Sequence, residues 1–132
     1  MARTYHIDVA AFAADADRKW VDNLVSHFDV AGVESARRGV ARRIATGALY
    51  RIALIRRLHV EIGVAIAQAV HVADRLLTSP DAPVPIATGL ELTFDRAAFQ
   101  SAIDARIAEA VEAFRPAIRG RPPVRRSSLD QT

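Results

Sequence analysis

Apolar positions recur along the chain in short blocks, most at helical spacing and two alternating, with acids, glycines and prolines between them. In "TYHIDVAAFAAD", Ile7, Ala10, Ala11 and Ala14 fall three or four apart, with Asp8 as an N-cap or first-turn acid. A tight turn at "DAD" follows, and Asp17 is a good N-cap for "RKWVDNLVSHF". There Val21, Leu24, Val25 and Phe28 share one face, which must pack on the first helix, so Lys19, Asp22, Asn23 and Ser26 point away. Two short helices joined by a tight turn predict a helix-turn-helix, whose second helix enters a DNA major groove in the proteins that use it.

"DVAGVESARRGVARRI" then spaces Val30, Val33, Val40 and Ile44 around polar residues, and Arg37-Arg38-Gly39 reads as a hairpin tip. So small a hairpin must lie against the helices as a wing, with its arginines splayed outward at phosphate distance. Next, Leu49, Ile52, Ile55 (or Leu54) and Leu58 form a helical stripe, Gly63 breaks it, and a further helix runs from about Ala65 to Leu77. Prolines 80, 83 and 85 separate this from a second hairpin, in which Ile86, Leu90, Leu92 and Phe94 alternate around a Thr88-Gly89 turn. Asp95 is the N-cap for a last helix whose stripe is Phe99, Ile103, Ile107, Val111 (or Ala110) and Phe114. That stripe either closes over the first half or pairs with a second copy. A two-fold homodimer is the favoured expectation, because it suits half-site recognition. The expected division is 1–78 as a winged helix-turn-helix, 79–115 as hairpin plus dimerisation helix, and 116–132 as a basic, disordered tail.

Composition narrows the class. Half of the 132 residues are hydrophobic but only 6% aromatic, which favours a mainly α fold over a β-sandwich. The absence of cysteine excludes disulfides, thiolate metal sites and cysteine nucleophiles. No apolar run approaches the ~20 residues of a membrane span, and acids occupy the place of a signal peptide's apolar core, so no membrane partner and a bacterial cytoplasmic, nucleoid-associated location are expected. Charge is uneven. Residues 1–59 carry ten cations and six anions, 60–114 three and eight, and 115–132 five and one. Seven arginines and no acid lie between Arg37 and Arg57. Either this is a solvated arginine-rich surface, or two regions of the chain meet a polyanion.

At residues 5–77 the chain resembles the DNA-binding domain of the MerR-type winged-helix regulators. The resemblance rests on Tyr5-x-Ile7, Ala11, the turn to Lys19 and Val21, the wing "GVARRI" and the following helix "LYRIALIRRL…GV". It implies a dimer that binds double-stranded DNA, with the second helix in the major groove and wing arginines on the phosphates. Arg42 and Arg43 match the wing's arginine pair, and Lys19 the basic position early in the recognition helix. Asp15 stands where the turn glycine is usual, and Asp22-Asn23-Leu24 replace an arginine and aromatics. In the tail, Arg119-Gly120-Arg121-Pro122 resembles an AT-hook core, which implies arginines inserted in a narrow A·T minor groove. The alternative for the tail is salt-sensitive attraction to phosphates alone.

The expected DNA-binding residues are therefore Arg18, Lys19, Trp20, Asn23, Arg37, Arg38, Arg42, Arg43, Arg119 and Arg121. Asn23 can pair with adenine and Lys19 with guanine. Arg18 suits a phosphate, and Trp20 suits either stacking on the backbone or packing at an interface. Asp22 can orient Lys19 or accept from a cytosine amine, while Arg51, Arg56 and Arg57 are either solvated or contacts. His6, His27, His59 and His71 have no HxxxH or HExxH spacing, and no glycine-rich phosphate loop is present, so no catalytic, metal or cofactor site is expected. The sequence leaves open whether a small-molecule effector or a protein partner is sensed. The functional expectation is a transcriptional regulator. Other readings are a protein–protein adaptor on a winged-helix scaffold, or an architectural, excisionase-like DNA binder.

Overall fold

The computed structural model describes residues 3–34, 42–79 and 81–114. The fold is mainly helical. Its first helix, α1 (Ile7–Ala14), is its centre: Ile7, Val9, Ala10, Ala11, Ala13 and Ala14 are all buried. A single stripe was expected, but this helix is enclosed on several sides, and its alanines let neighbouring helices come close. His6, not Asp8, is the N-cap, its Nδ1 accepting the Asp8 N–H at 3.2 Å, while Asp8 serves in the first turn. The helix closes on Asp15 in the left-handed region, at φ 56° and ψ 50°. The Ala16 N–H bonds to the Ala11 carbonyl at 2.9 Å and the Asp15 N–H to that of Phe12 at 3.1 Å. These paired bonds are a Schellman closure. Aspartate fills the position because its short polar side chain tolerates that backbone.

Helix α2 (Arg18–His27) follows from Asp17, which has the extended backbone of a cap although its side chain makes no capping bond. Val21 and Leu24 are buried and Val25 and Phe28 partly so, on the face that packs toward α1. The first hairpin is present at both arms, as β2 (Val33–Glu34) and β3 (Arg43–Ala45), with Val33 opposite Ile44 and Glu34 opposite Arg43. Its expected tip, including Arg37, Arg38 and Gly39, lies outside the described residues. A strand that the pattern did not announce, β1 (Thr4–Tyr5), pairs with the other edge of β3, so the sheet runs β1-β3-β2. Two residues are too few to show a period. Gly32 (φ 94°) brings this sheet close to the next helix: a Cβ there would stand 3.1 Å from the Ala48 Cβ.

Helix α3 (Thr46–Arg57) buries the expected Leu49, Ile52, Leu54 and Ile55, and runs without a break into a π turn, Leu58–Ile62, closed by Gly63 at φ 82°. After α4 (Ile66–Thr78), β4 (Val84–Ala87) and β5 (Leu90–Leu92) form the second hairpin around Thr88-Gly89. Gln68 Nε2 ties it to α4 by donating to the Ile86 carbonyl at 2.8 Å. Val84 is its buried anchor, while Leu90, expected on the apolar side, is 58% exposed.

The last helix, α5 (Arg96–Ala113), is capped by Asp95, whose Oδ1 accepts the Ala98 N–H at 3.0 Å. Phe99, Ile103, Ile107 and Ala110 are buried, and α5 lies chiefly against α1. Of the two alternatives for this stripe, closure over the first half is the one that the single chain adopts. The stripe is spent on the chain's own first half, leaving half-exposed Phe114 at its end. One continuous core therefore crosses the boundary expected at 78/79. Two polar staples fix α5. Arg106 lies 4.4 Å over the Phe12 ring and donates to the Phe12 carbonyl at 2.9 Å. The Tyr50 hydroxyl donates to Asp104 at 2.5 Å.

Candidate nucleic-acid interface

The outer side of α2 carries a row of exposed polar residues, Arg18, Lys19, Asp22, Asn23 and Ser26. Their exposure follows from the helical period: with Val21 and Leu24 held inward, these positions have no other direction to take. Lys19 and the Asn23 amide make no side-chain contact among the described residues. Arg18 reaches back to Asp8 at 3.5 Å, across the turn. Trp20 takes the packing role of its two alternatives. It is partly buried against the core, and the Arg56 guanidinium covers its ring at 4.9 Å.

The strand beside α2 supplies the second part. Arg42 donates from Nη1 to Asp22 Oδ1 at 3.0 Å and to Ser26 Oγ at 3.4 Å, and its side chain is only 18% exposed. Arg42 was expected to be splayed toward solvent, and Asp22 to serve Lys19 or a base. Instead the two are partners, and their bond joins the residue before β3 to the middle of α2. Geometry explains this: β3 runs close enough to α2 for a long side chain to cross, and a carboxylate with a hydroxyl one turn on offers it two acceptors. Arg43 is exposed, with no side-chain partner among the described residues. Thr4, Tyr5, His6, Arg42 and Arg43 surround a shallow depression of about 220 Å³ between β1 and β3. Two acids contact its lining: Asp22, which holds Arg42, and Asp8, whose carboxylate lies 3.2 Å from His6 Nδ1. Arg43 offers the depression forked donors that no carboxylate holds among the described residues.

The remaining basic residues do not join this surface as one field. Arg51 donates to Asp74 at 3.0 Å and to the Gly47 carbonyl at 3.2 Å, and so serves the packing of α3 on α4. Arg57 pairs with Glu61 at 3.3 Å. Arg119 and Arg121, with the AT-hook-like segment, lie outside the described residues, as do Arg37 and Arg38. The structure thus brings Lys19, Asn23, Arg42 and Arg43 to one side of the molecule, with Arg18 at its margin, and assigns Trp20, Arg51 and Arg56 to packing. The Arg42–Asp22 partnership was missed because the residues are twenty apart and nothing local connects them. The wing reading, which lays one arm of the hairpin beside α2, was the signal that could have found it.

Among the described residues no group of histidines and acids could hold a metal ion, and no helix is long and apolar enough to cross a membrane. Compared with family models, curated proteins and solved structures, the chain finds no match.

Proposed function

We propose that this chain binds duplex DNA as a MerR-like winged helix-turn-helix and acts as a transcriptional regulator. In this reading α2 enters the major groove, and the β2–β3 hairpin lies over the flanking phosphates. The single observation that carries it is the Arg42 bridge to Asp22 and Ser26, which makes the exposed face of α2 and the adjoining strand one surface. Lys19 and Asn23 stand on that face without partners among the described residues, as base-reading groups must. The depression beside Arg43 supports the same orientation. A two-fold pair on a palindromic site would have to form through surfaces other than the buried stripe of α5.

The test is fluorescence anisotropy of labelled duplexes with the full chain, repeated from about 50 to 200 mM salt. The expected result is binding that weakens steeply with salt. Arg43→Gln should weaken all duplexes about equally and make the salt slope shallower by ~1, while Asn23→Ala should shift sequence preference. Binding confined to A·T-rich duplexes regardless of Asn23 would mark the architectural alternative. No salt-dependent retention on any duplex would end the DNA reading and leave the adaptor.

A further inference from the structure

On another side of the molecule, the end of α1, the last turns of α3 with the π turn, and the middle of α5 enclose an open cleft of about 510 Å³. Its inner wall is short side chains: Ala13, Ala14 and Ala53 are buried there, and Ala102 stands at its mouth on α5. A larger side chain at any of these positions would close the space. Three guanidiniums, Arg56, Arg57 and Arg106, line it from two sides, against two carboxylates, Asp15 and Glu61. The π turn shapes the rim and turns Val60 outward, 58% exposed, beside the arginines. Such turns inside helices gather at functional sites.

We infer that this cleft binds a small organic monoanion, a carboxylate or sulfonate with a compact apolar body. The volume is that of a small-molecule site. Arg106 is pre-ordered by the Phe12 carbonyl and ring, and its other terminal nitrogen pairs with exposed Glu109 at 3.2 Å, a one-turn pair like that of Arg57. Arg56 has no carboxylate partner among the described residues. Arg57 lies 5.7 Å over the Phe99 ring, and its one carboxylate partner among the described residues is Glu61, an exposed one-turn pair at 50% and 64% side-chain exposure that an incoming carboxylate replaces at little cost. Two adjacent arginines on α3 with a third across the cleft present forked donors to one anionic group. The alanines and Val60 receive the body. Occupation has a built-in reporter. Arg56 covers Trp20, the one tryptophan of the chain, so an anion that draws Arg56 into the cleft changes the tryptophan's surroundings.

The inference stands apart from DNA binding, and its test contains no DNA. The full chain is titrated with cyclohexanecarboxylate, with cyclohexanecarboxamide as the uncharged probe and inorganic phosphate as the anion without a body. Trp20 emission and the methyl resonances of Ala13, Ala14 and Ala102 are followed together. The expected result is saturable binding of the carboxylate, at least about tenfold tighter than the amide or phosphate. Arg57→Gln and Ala102→Phe should each weaken it several-fold, and Glu61→Gln should tighten it. Ala102 is exposed on its helix, so enlarging it blocks the cleft without disturbing the core. Absence of saturable shifts at the three methyls, equal binding of the amide, tighter binding of phosphate, or an unchanged affinity in both Arg57→Gln and Ala102→Phe would overturn the assignment.

Discussion

Replacing Ile103 by alanine asks whether α5 belongs to the core of its own chain. Ile103 is 3% exposed, at the middle of the face that α5 turns toward α1. The change removes three carbons, about 2.5 kcal/mol at ~0.8 kcal/mol per buried methylene. The void left behind adds a further cost in a closed core. Here the residue borders the open cleft, so part of the space refills with water and the total stays near 3 kcal/mol. For a domain of this size that lowers the melting temperature by roughly 10 °C. Circular dichroism melts over a hundredfold range of protein concentration supply the assay. Because the stripe is spent inside one chain, the melting temperature should not depend on concentration in either protein. A wild-type midpoint that climbs with concentration, together with a loss below about 1 kcal/mol in the variant, would show that α5 is stabilised by a second copy and would refute the packing argument.

Tyr50 gives a pH-dependent expectation. Burial, with the hydrogen bond and charge of Asp104, pushes its phenol from the ordinary 10 up to about 12. The folded value lies above the unfolded one, so the stabilisation is complete below pH 10 and is lost as pH rises through about 12. Ultraviolet titration should show a late phenolate step that Tyr50→Phe removes and Asp104→Asn moves part of the way to lower pH; an unchanged step in Asp104→Asn would refute the contribution of Asp104 and leave burial alone. Gly32→Ala should cost roughly 2–3 kcal/mol in thermal melts, since the new methyl meets both a positive φ and Ala48 at 3.1 Å. Gly89→Ala, with the same sign of φ and nothing within 4 Å, should cost only about 1–2 kcal/mol. Equal losses at the two positions would show that contact with α3 plays no part.

Local signals carried far in this chain. The bounds of α2, α4 and α5, the Thr88-Gly89 turn and the Asp95 cap were readable because caps, breaks and apolar spacing coincide there. What escaped is tertiary. The alanines of α1 look like a weak stripe in sequence, yet they are buried on several sides, because small residues disclose neither how many neighbours they will have nor from which side. The destination of α5's stripe was undecidable from spacing, since an apolar face specifies burial and not the partner that covers it. Arginines are harder still. Arg18, Arg42, Arg51, Arg57 and Arg106 each found a carboxylate, and only Arg57 and Arg106 did so at a spacing that the helix period makes visible. A run of cations without acids in sequence is therefore not a run without acids in space.

That pairing bears directly on how the proposed interface would work. On the exposed face of α2 and the start of β3, Lys19 and Arg43 are the cations without a carboxylate partner among the described residues, while Arg42 and Arg18 face Asp22 and Asp8. Two released counterions give a salt slope of about −2, too shallow for strong non-specific attraction. The pair formed by Arg42 is worth at most about 1 kcal/mol at a half-exposed carboxylate. A phosphate can therefore recruit Arg42, but Asp22 then stands beside the backbone at an electrostatic cost. A groove-facing acid of this kind weakens attraction to every sequence and is offset only where a base amine can donate to it. Seven further arginines, Arg37 and Arg38 with five after Phe114, are available in the sequence to supply sequence-independent affinity. Affinity and selectivity would thus reside in different parts of the chain. Substituting Asp22 should raise affinity for all duplexes while lowering discrimination, whereas substituting Arg119 and Arg121 should lower affinity and leave discrimination by α2 intact.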